Sequence, residues 1–135
     1  MYLLDINIFS ELRKPLPDDR VLRWFASVES EHLFLSVLVL GELRHGLALK
    51  RRKDPSAAAK LAAWIDQIET AHRARILRID RRVARLWAEL GVPDPVPPID
   101  GLLAATALLH DLTLVTRNTR DVARTGARVL NPFER

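Results

Sequence analysis

Short apolar runs of strand length alternate along this chain with longer segments of helical periodicity. That alternation constrains the fold more than any other feature. Residues 2–4 read as a buried strand ending at Asp5, and a helix opens at Asn7 and runs to about Arg13, stopped by Pro15 and Pro17. Residues 18–28 carry Val21, Leu22, Trp24, Phe25 and Val28 at helical spacing. Residues 33–35 form a second strand candidate, followed by a long apolar helix over 37–50 and an amphipathic one over 54–72 with Leu61, Ile65 and Ile68 inside. Further on, 75–79 reads as a strand and 80–90 as a helix. A Pro-rich connector leads to a helix over 98–110 that is apolar nearly all round and therefore buried. A strand over 112–115, a helical turn over 118–122 and a last strand over 127–130 complete the pattern.

Strands separated by helices imply an α/β fold, a three-layer α/β/α sandwich on a central, mostly parallel sheet. Ligands of such sheets lie beyond the carboxyl ends of the strands. Chemistry is therefore expected around Asp5, Asp100 and residues 116–121. The length, 135 residues, suits one domain spanning 1–135 and a core that needs no staples. With no cysteine, disulfides, zinc–thiolate sites and thiol catalysis are excluded. The opening residues show no basic flank or cleavage pattern, and no apolar stretch reaches the roughly 18 residues of a membrane span. The expectation is a cytoplasmic protein without a membrane partner. Net charge is +4, and arginine greatly outnumbers lysine, found only at positions 14, 50, 53 and 60. Arginine suits phosphate recognition, although genomic base composition also favours it.

Four carboxylates stand apart from the solvated ones. Asp5 ends the first strand, where an acid also serves as a helix cap. Glu42 interrupts an almost wholly apolar stretch. A buried unpaired charge is costly, so it needs a partner such as Arg44 or His45, while Gly46 one turn on leaves room for a ligand. Asp100 enters a buried helix after Pro97 and Pro98, where the dipole favours an acid, with Ala104 and Ala107 on its face leaving space. Asn118 and Asp121 lie three residues apart on one face of a short turn. Gathered at one sheet edge, these acids would repel one another unless a hard divalent cation resolved the conflict. Mg²⁺ takes carboxylates, waters and a phosphate. The chemistry that follows is phosphodiester hydrolysis, with Arg13, Arg44 and Arg117 as candidate phosphate contacts.

Four segments carry a family resemblance. The opening Y-L-L-D-I-N-I-F-S-E-L-R-K-P, the middle run L-S-V-L-V-L-G-E-L-R-H-G, the later P-P-I-D-G-L-L-A-A-T-A and the ending L-V-T-R-N-T-R-D with V-L-N-P-F resemble, in order and spacing, the VapC-type toxins among PIN-domain ribonucleases. The resemblance implies a PIN-like sandwich and Mg²⁺- or Mn²⁺-dependent RNA cleavage. It also implies a homodimer, a co-encoded VapB-like antitoxin, and operator DNA bound only through the toxin–antitoxin complex. Asp5, Glu42 and Asp100 match the family's core acids. The fourth falls at Asn118, with Asp121 as its substitute, so that Asp5, Asp100 and Asp121 would hold metal and Asn118 would orient a water or ligand.

The chain departs from the family at Ile6 and Val39, each standing where Thr or Ser is usual and each removing a hydroxyl near the expected site. Ile6 and Asn118 keep a second reading open, a catalytically weak or inactive PIN-fold module that binds antitoxin and takes part in operon repression. A receiver-like signalling domain fails, because Asp5 has no adjacent acid and Thr116 is followed by Arg117 rather than Lys. The run Lys50, Arg51, Arg52, Lys53 reads as a solvated helix end with RNA contact as the minority reading. Trp24, Trp64 and Trp87 are expected to pack in the core or an interface, and the four histidines show no convergent spacing.

Overall fold

The computed structural model describes residues 1–134. Five strands, β1 (Tyr2–Leu4), β2 (Leu33–Ser36), β3 (Ile76–Leu77), β4 (Thr113–Val115) and β5 (Val129–Leu130), form one sheet in the order β3-β2-β1-β4-β5. Every pairing is parallel. Parallel neighbours need crossovers, which seven helices supply: α1 (Ile6–Arg13), α2 (Asp19–Ser27), α3 (Val37–Lys53), α4 (Pro55–Ala71), α5 (Arg81–Leu90), α6 (Pro98–Leu109) and α7 (Thr119–Ala123). The helices pack in two groups. In one, α3 lies against α4 with α1 and α2 beside them; in the other, α5 lies against α6 with α7 alongside. This is the expected α/β/α sandwich, with a sheet that is parallel throughout.

The strands are short but apolar on both sides, as a sheet covered on two faces requires. Leu3, Leu4, Leu35 and Val115 are wholly buried, joined by Ile8, Val21, Val39, Ile65 and Leu103 from the helices. Each such side chain contributes about 1.5–3 kcal/mol by leaving water. Trp24 meets Tyr2 edge-on and Trp64 meets Phe9 edge-on. Gly101 lets α6 approach α5, since a Cβ there would stand 3.0 Å from the Trp87 indole.

Several boundaries differ from the sequence reading. The strand expected over 75–79 is paired only at Ile76 and Leu77, because β2 ends at Ser36 and offers nothing further to bond. Leu112 is not in β4; its N–H donates to the Ala107 carbonyl and closes α6. Residues 127 and 128 only lead into β5 from the turn at Gly126, whose φ of 87° suits glycine. Helix α3 continues to Lys53, and Asp54 then caps the start of α4 through the Ala57 N–H.

Candidate active site

The strand order reverses between β1 and β4: the chain builds β1, β2 and β3 outward on one side, then returns to the other side of β1. Side chains following these two strands therefore border a crevice at the switch point. Asp5 follows β1 and Thr116 follows β4, and they are bonded, with the Thr116 hydroxyl donating to Asp5 Oδ2 at 2.7 Å. Both are buried. Asp5 also caps α1, its Oδ1 accepting the Ile6 N–H at 2.6 Å, and Asn7 Nδ2 donates to Oδ2 at 3.0 Å. Three donors thus fix the Asp5 carboxylate. The cap expected of Asp5 is thus present.

The other acids arrive from helices. Asp100 sits in the first turn of α6, which opens on Pro98. Asn118 precedes α7 but makes no capping bond. Its amide Nδ2 instead donates to Asp100 Oδ2 at 2.7 Å and to Asp121 Oδ2 at 3.4 Å, while its backbone N–H donates to the Thr116 hydroxyl at 3.1 Å. A continuous chain of bonds therefore runs from Asp5 through Thr116 and Asn118 to Asp100 and Asp121. Asp121 also pairs with Arg124 at 3.6 Å.

Glu42 reaches the same place from the middle of α3. Burial pushes its carboxyl above the ordinary range, and the charges of Asp5 and Asp100 push it further. Burial also raises Asp100, against the lowering bond from Asn118 and with the added charges of Asp5 and Asp121. Glu42 thus feels the charges of Asp5 and Asp100, and Asp100 those of Asp5 and Asp121. Glu42 Oε1 is buried and accepts no hydrogen bond. An orphaned carboxylate oxygen among other acids is a poor arrangement for a folded core and a good one for a cation. Among the described residues, however, no three His, Cys, Asp or Glu side chains converge closely enough to hold an ion between them.

Arg44 is not the partner of Glu42. Its guanidinium bonds Asp66 and Glu69 of α4 at 2.8 Å each, and its polar hollow is lined by those residues with Thr70 and Arg73. His45 is exposed. Arg13 is exposed and lies over the Trp64 ring, 5.5 Å from its centroid, and Arg117 lies over Phe133 at 3.9 Å. The space expected at Gly46 is present, for a Cβ there would meet nothing within 4 Å. The space expected at Ala104 and Ala107 is not; both are fully buried in the core, because their face of α6 packs inward. Val39 too is wholly buried in that core, whereas Ile6 lines the groove beside Glu42. Thr116 falls in the polar cluster expected over 116–121, but no role of its own was assigned to it. Its signal was a hydroxyl at the end of an apolar strand, two positions before Asn118.

A small parallel α/β domain with acids gathered at the switch point is the layout of a PIN domain, and the PIN domain profile matches residues 2–127. Over 98% of this chain and 99% of its own length, the toxin FitB of Neisseria gonorrhoeae is 34% identical. The VapC ribonuclease Y4jK of Sinorhizobium fredii is 32% identical over 99% of each chain. The solved structure of FitAB bound to an IR36 DNA fragment superposes with a TM-score of 0.91 at 32% identity, covering 98% of this chain and 96% of that one. The chain belongs to the PIN domain family, and within it to the VapC-type toxins. No helix among the described residues is long and apolar enough to cross a membrane.

Proposed function

We propose that this chain is a metal-dependent endoribonuclease and the toxin of a VapBC-type pair. The observation that carries the reading is the buried Oε1 of Glu42, unpartnered beside the charges of Asp5 and Asp100. Asp5, Asp100 and Asp121 would hold Mg²⁺ or Mn²⁺. Mg²⁺ is usually held by one or two carboxylates together with waters and substrate phosphate. When bound, the cation supplies an activated water and offsets charge on the scissile phosphate.

The chain's own residues do the rest. Thr116, Asn7 and the Ile6 N–H fix the Asp5 carboxylate, and Asn118 orients Asp100 and Asp121. Glu42, whose carboxyl holds a proton more readily than usual, is suited to take one up at Oε1. Arg13 and Arg117, both exposed, remain phosphate contacts; Arg44 is withdrawn from that role by Asp66 and Glu69. The relatives' complexes support a co-encoded VapB-like antitoxin, and operator DNA reached through that complex. Exposed Trp87, Val92 and Ile99 around α5 and α6 support a homodimer.

The test is cleavage of a cellular RNA pool by purified, antitoxin-free protein, with Mg²⁺, with Mn²⁺ and with chelator, beside Asp100→Asn. Discrete fragments that require metal are expected, with the variant slower by at least about a hundredfold. No cleavage, or equal cleavage by the variant, overturns the reading. It would favour the non-catalytic module that binds antitoxin and represses its operon, to which Ile6 and Asn118 already point.

A further inference from the structure

A groove of about 330 Å³ opens beside Glu42, between α1, α3 and α4. Its size is at the lower end for small-ligand sites. Ile6, Leu61 and Trp64 give it an apolar wall, Arg13 and Lys50 supply two exposed cations, and Glu42 joins it to the acid cluster. Two details suggest it is kept open. Gly46 lies in the interior of α3, where glycine costs about 1 kcal/mol against alanine, yet nothing within 4 Å would obstruct a Cβ. No neighbouring backbone demands this glycine; its effect is to leave the groove unfilled. Trp64, half-buried, is held edge-on by Phe9 and covered by the Arg13 guanidinium, so its position is fixed before any ligand arrives.

We propose that this groove seats the nucleotide next to the scissile phosphate, as a subsite for single-stranded RNA. The inference rests on the ribonuclease reading above and names where its substrate lies. Single strands are bound by positive grooves with aromatic surface for the bases, and both elements are present here, contiguous with the acids. A base stacks on the Arg13 guanidinium that covers Trp64, against Leu61 and Ile6, with its phosphate toward Lys50. Guanidinium planes also stack on bases, so Arg13 extends the platform that Trp64 begins. Ile6 then has a use that a hydroxylated residue would serve less well, since it continues the apolar wall up to Glu42.

The experiment measures binding of a labelled single-stranded hexaribonucleotide by fluorescence anisotropy in chelator, where no cleavage intervenes. Gly46→Leu fills the groove while improving helix propensity. It is expected to raise Kd by about tenfold, in keeping with the loss of one stacked base, with Tm unchanged or higher and Gly46→Ala intermediate. Should Gly46→Leu fold poorly, Lys50→Glu at the exposed end gives the reading, with weaker binding and a smaller salt dependence expected. Unchanged Kd in the folded variant overturns the proposal. So does unchanged Kd with loss of the antitoxin complex, which would assign the groove to the protein partner. A wild-type chain that cleaves RNA with metal but whose Kd ignores Gly46→Leu loses only the groove; one that neither binds nor cleaves RNA loses both readings.

Discussion

Glu42 is kept at a cost that the fold alone does not explain. Its carboxyl titrates above its ordinary 4.5 because of burial and the charges of Asp5 and Asp100. The folded state therefore binds this proton more tightly than the unfolded chain does. Stability falls as pH rises from 4.5 through the folded value, and the penalty is complete above it. Glu42→Gln removes the charge and should, in chelator, raise the melting temperature at pH 7, with the gain vanishing toward pH 4. Added Mg²⁺ should stabilise the wild type more than the variant, since ligand binding to the folded state is itself stabilising. A variant no more stable at pH 7, or equally stabilised by Mg²⁺, would show that Glu42 meets neither the charges nor the cation. Glu42 was legible in the sequence because an acid amid Leu38, Val39 and Leu43 is conspicuous. Asp5 and Asp100 each read alone as a cap and were legible as site candidates only from their expected place beyond strand ends and from the family resemblance. Thr116 was not, because a strand-end hydroxyl looks the same whether it meets solvent or Asp5, 111 residues away. Arg44 misled for the same reason, its true partners lying 22 and 25 residues further on. Asp5 receives a hydroxyl from Thr116 although Ile6 offers none.

At the scale of elements, helices were read more accurately than strands, for a physical reason. A helix satisfies its own backbone and carries its limits in its caps, as Asp18, Asp54 and Asp80 do at α2, α4 and α5. A strand ends where its neighbour stops, which its own residues do not record; β3 and β5 are cut to two paired residues this way. The caps also give a prediction confined to one element. Asp80 accepts the Val83 N–H at 3.0 Å, and that bond holds its carboxyl below the ordinary range, helped by Arg82. Asp80→Ala should lower Tm by a few degrees at neutral pH and leave RNA cleavage unaltered. Because the folded value is depressed, this contribution is present above the ordinary 3.8 and is lost as pH falls through the folded value. Thermal melts at pH 7 and pH 3 decide it: an undiminished difference in acid would mean the cap acts through packing rather than charge.

For the whole molecule, the α/β class followed from alternation alone, but the strand order did not. The reversal between β1 and β4 is what brings Asp5 to Thr116 and so gathers acids spread from position 5 to 121. Charge distribution is the other property of the whole, and the net +4 acquires meaning only from where the cations lie. Lys50, Arg51, Arg52 and Lys53 form the exposed last turn of α3, and Lys50 also borders the groove beside Glu42. Two accounts of this run compete. Cations at a helix carboxyl terminus are favoured by its dipole without any ligand. Alternatively, the run extends the path of the RNA backbone away from the acids. The salt dependence of binding separates them. Each phosphate neutralised on a single strand contributes about −0.7 to the slope of log K against log salt. If the run follows the backbone, Arg51→Glu with Arg52→Glu should make that slope shallower by at least about one between roughly 50 and 200 mM salt, measured in chelator. If the cations serve only the helix, the slope stays as it was and the melting temperature falls instead, because acids then stand where the dipole opposes them.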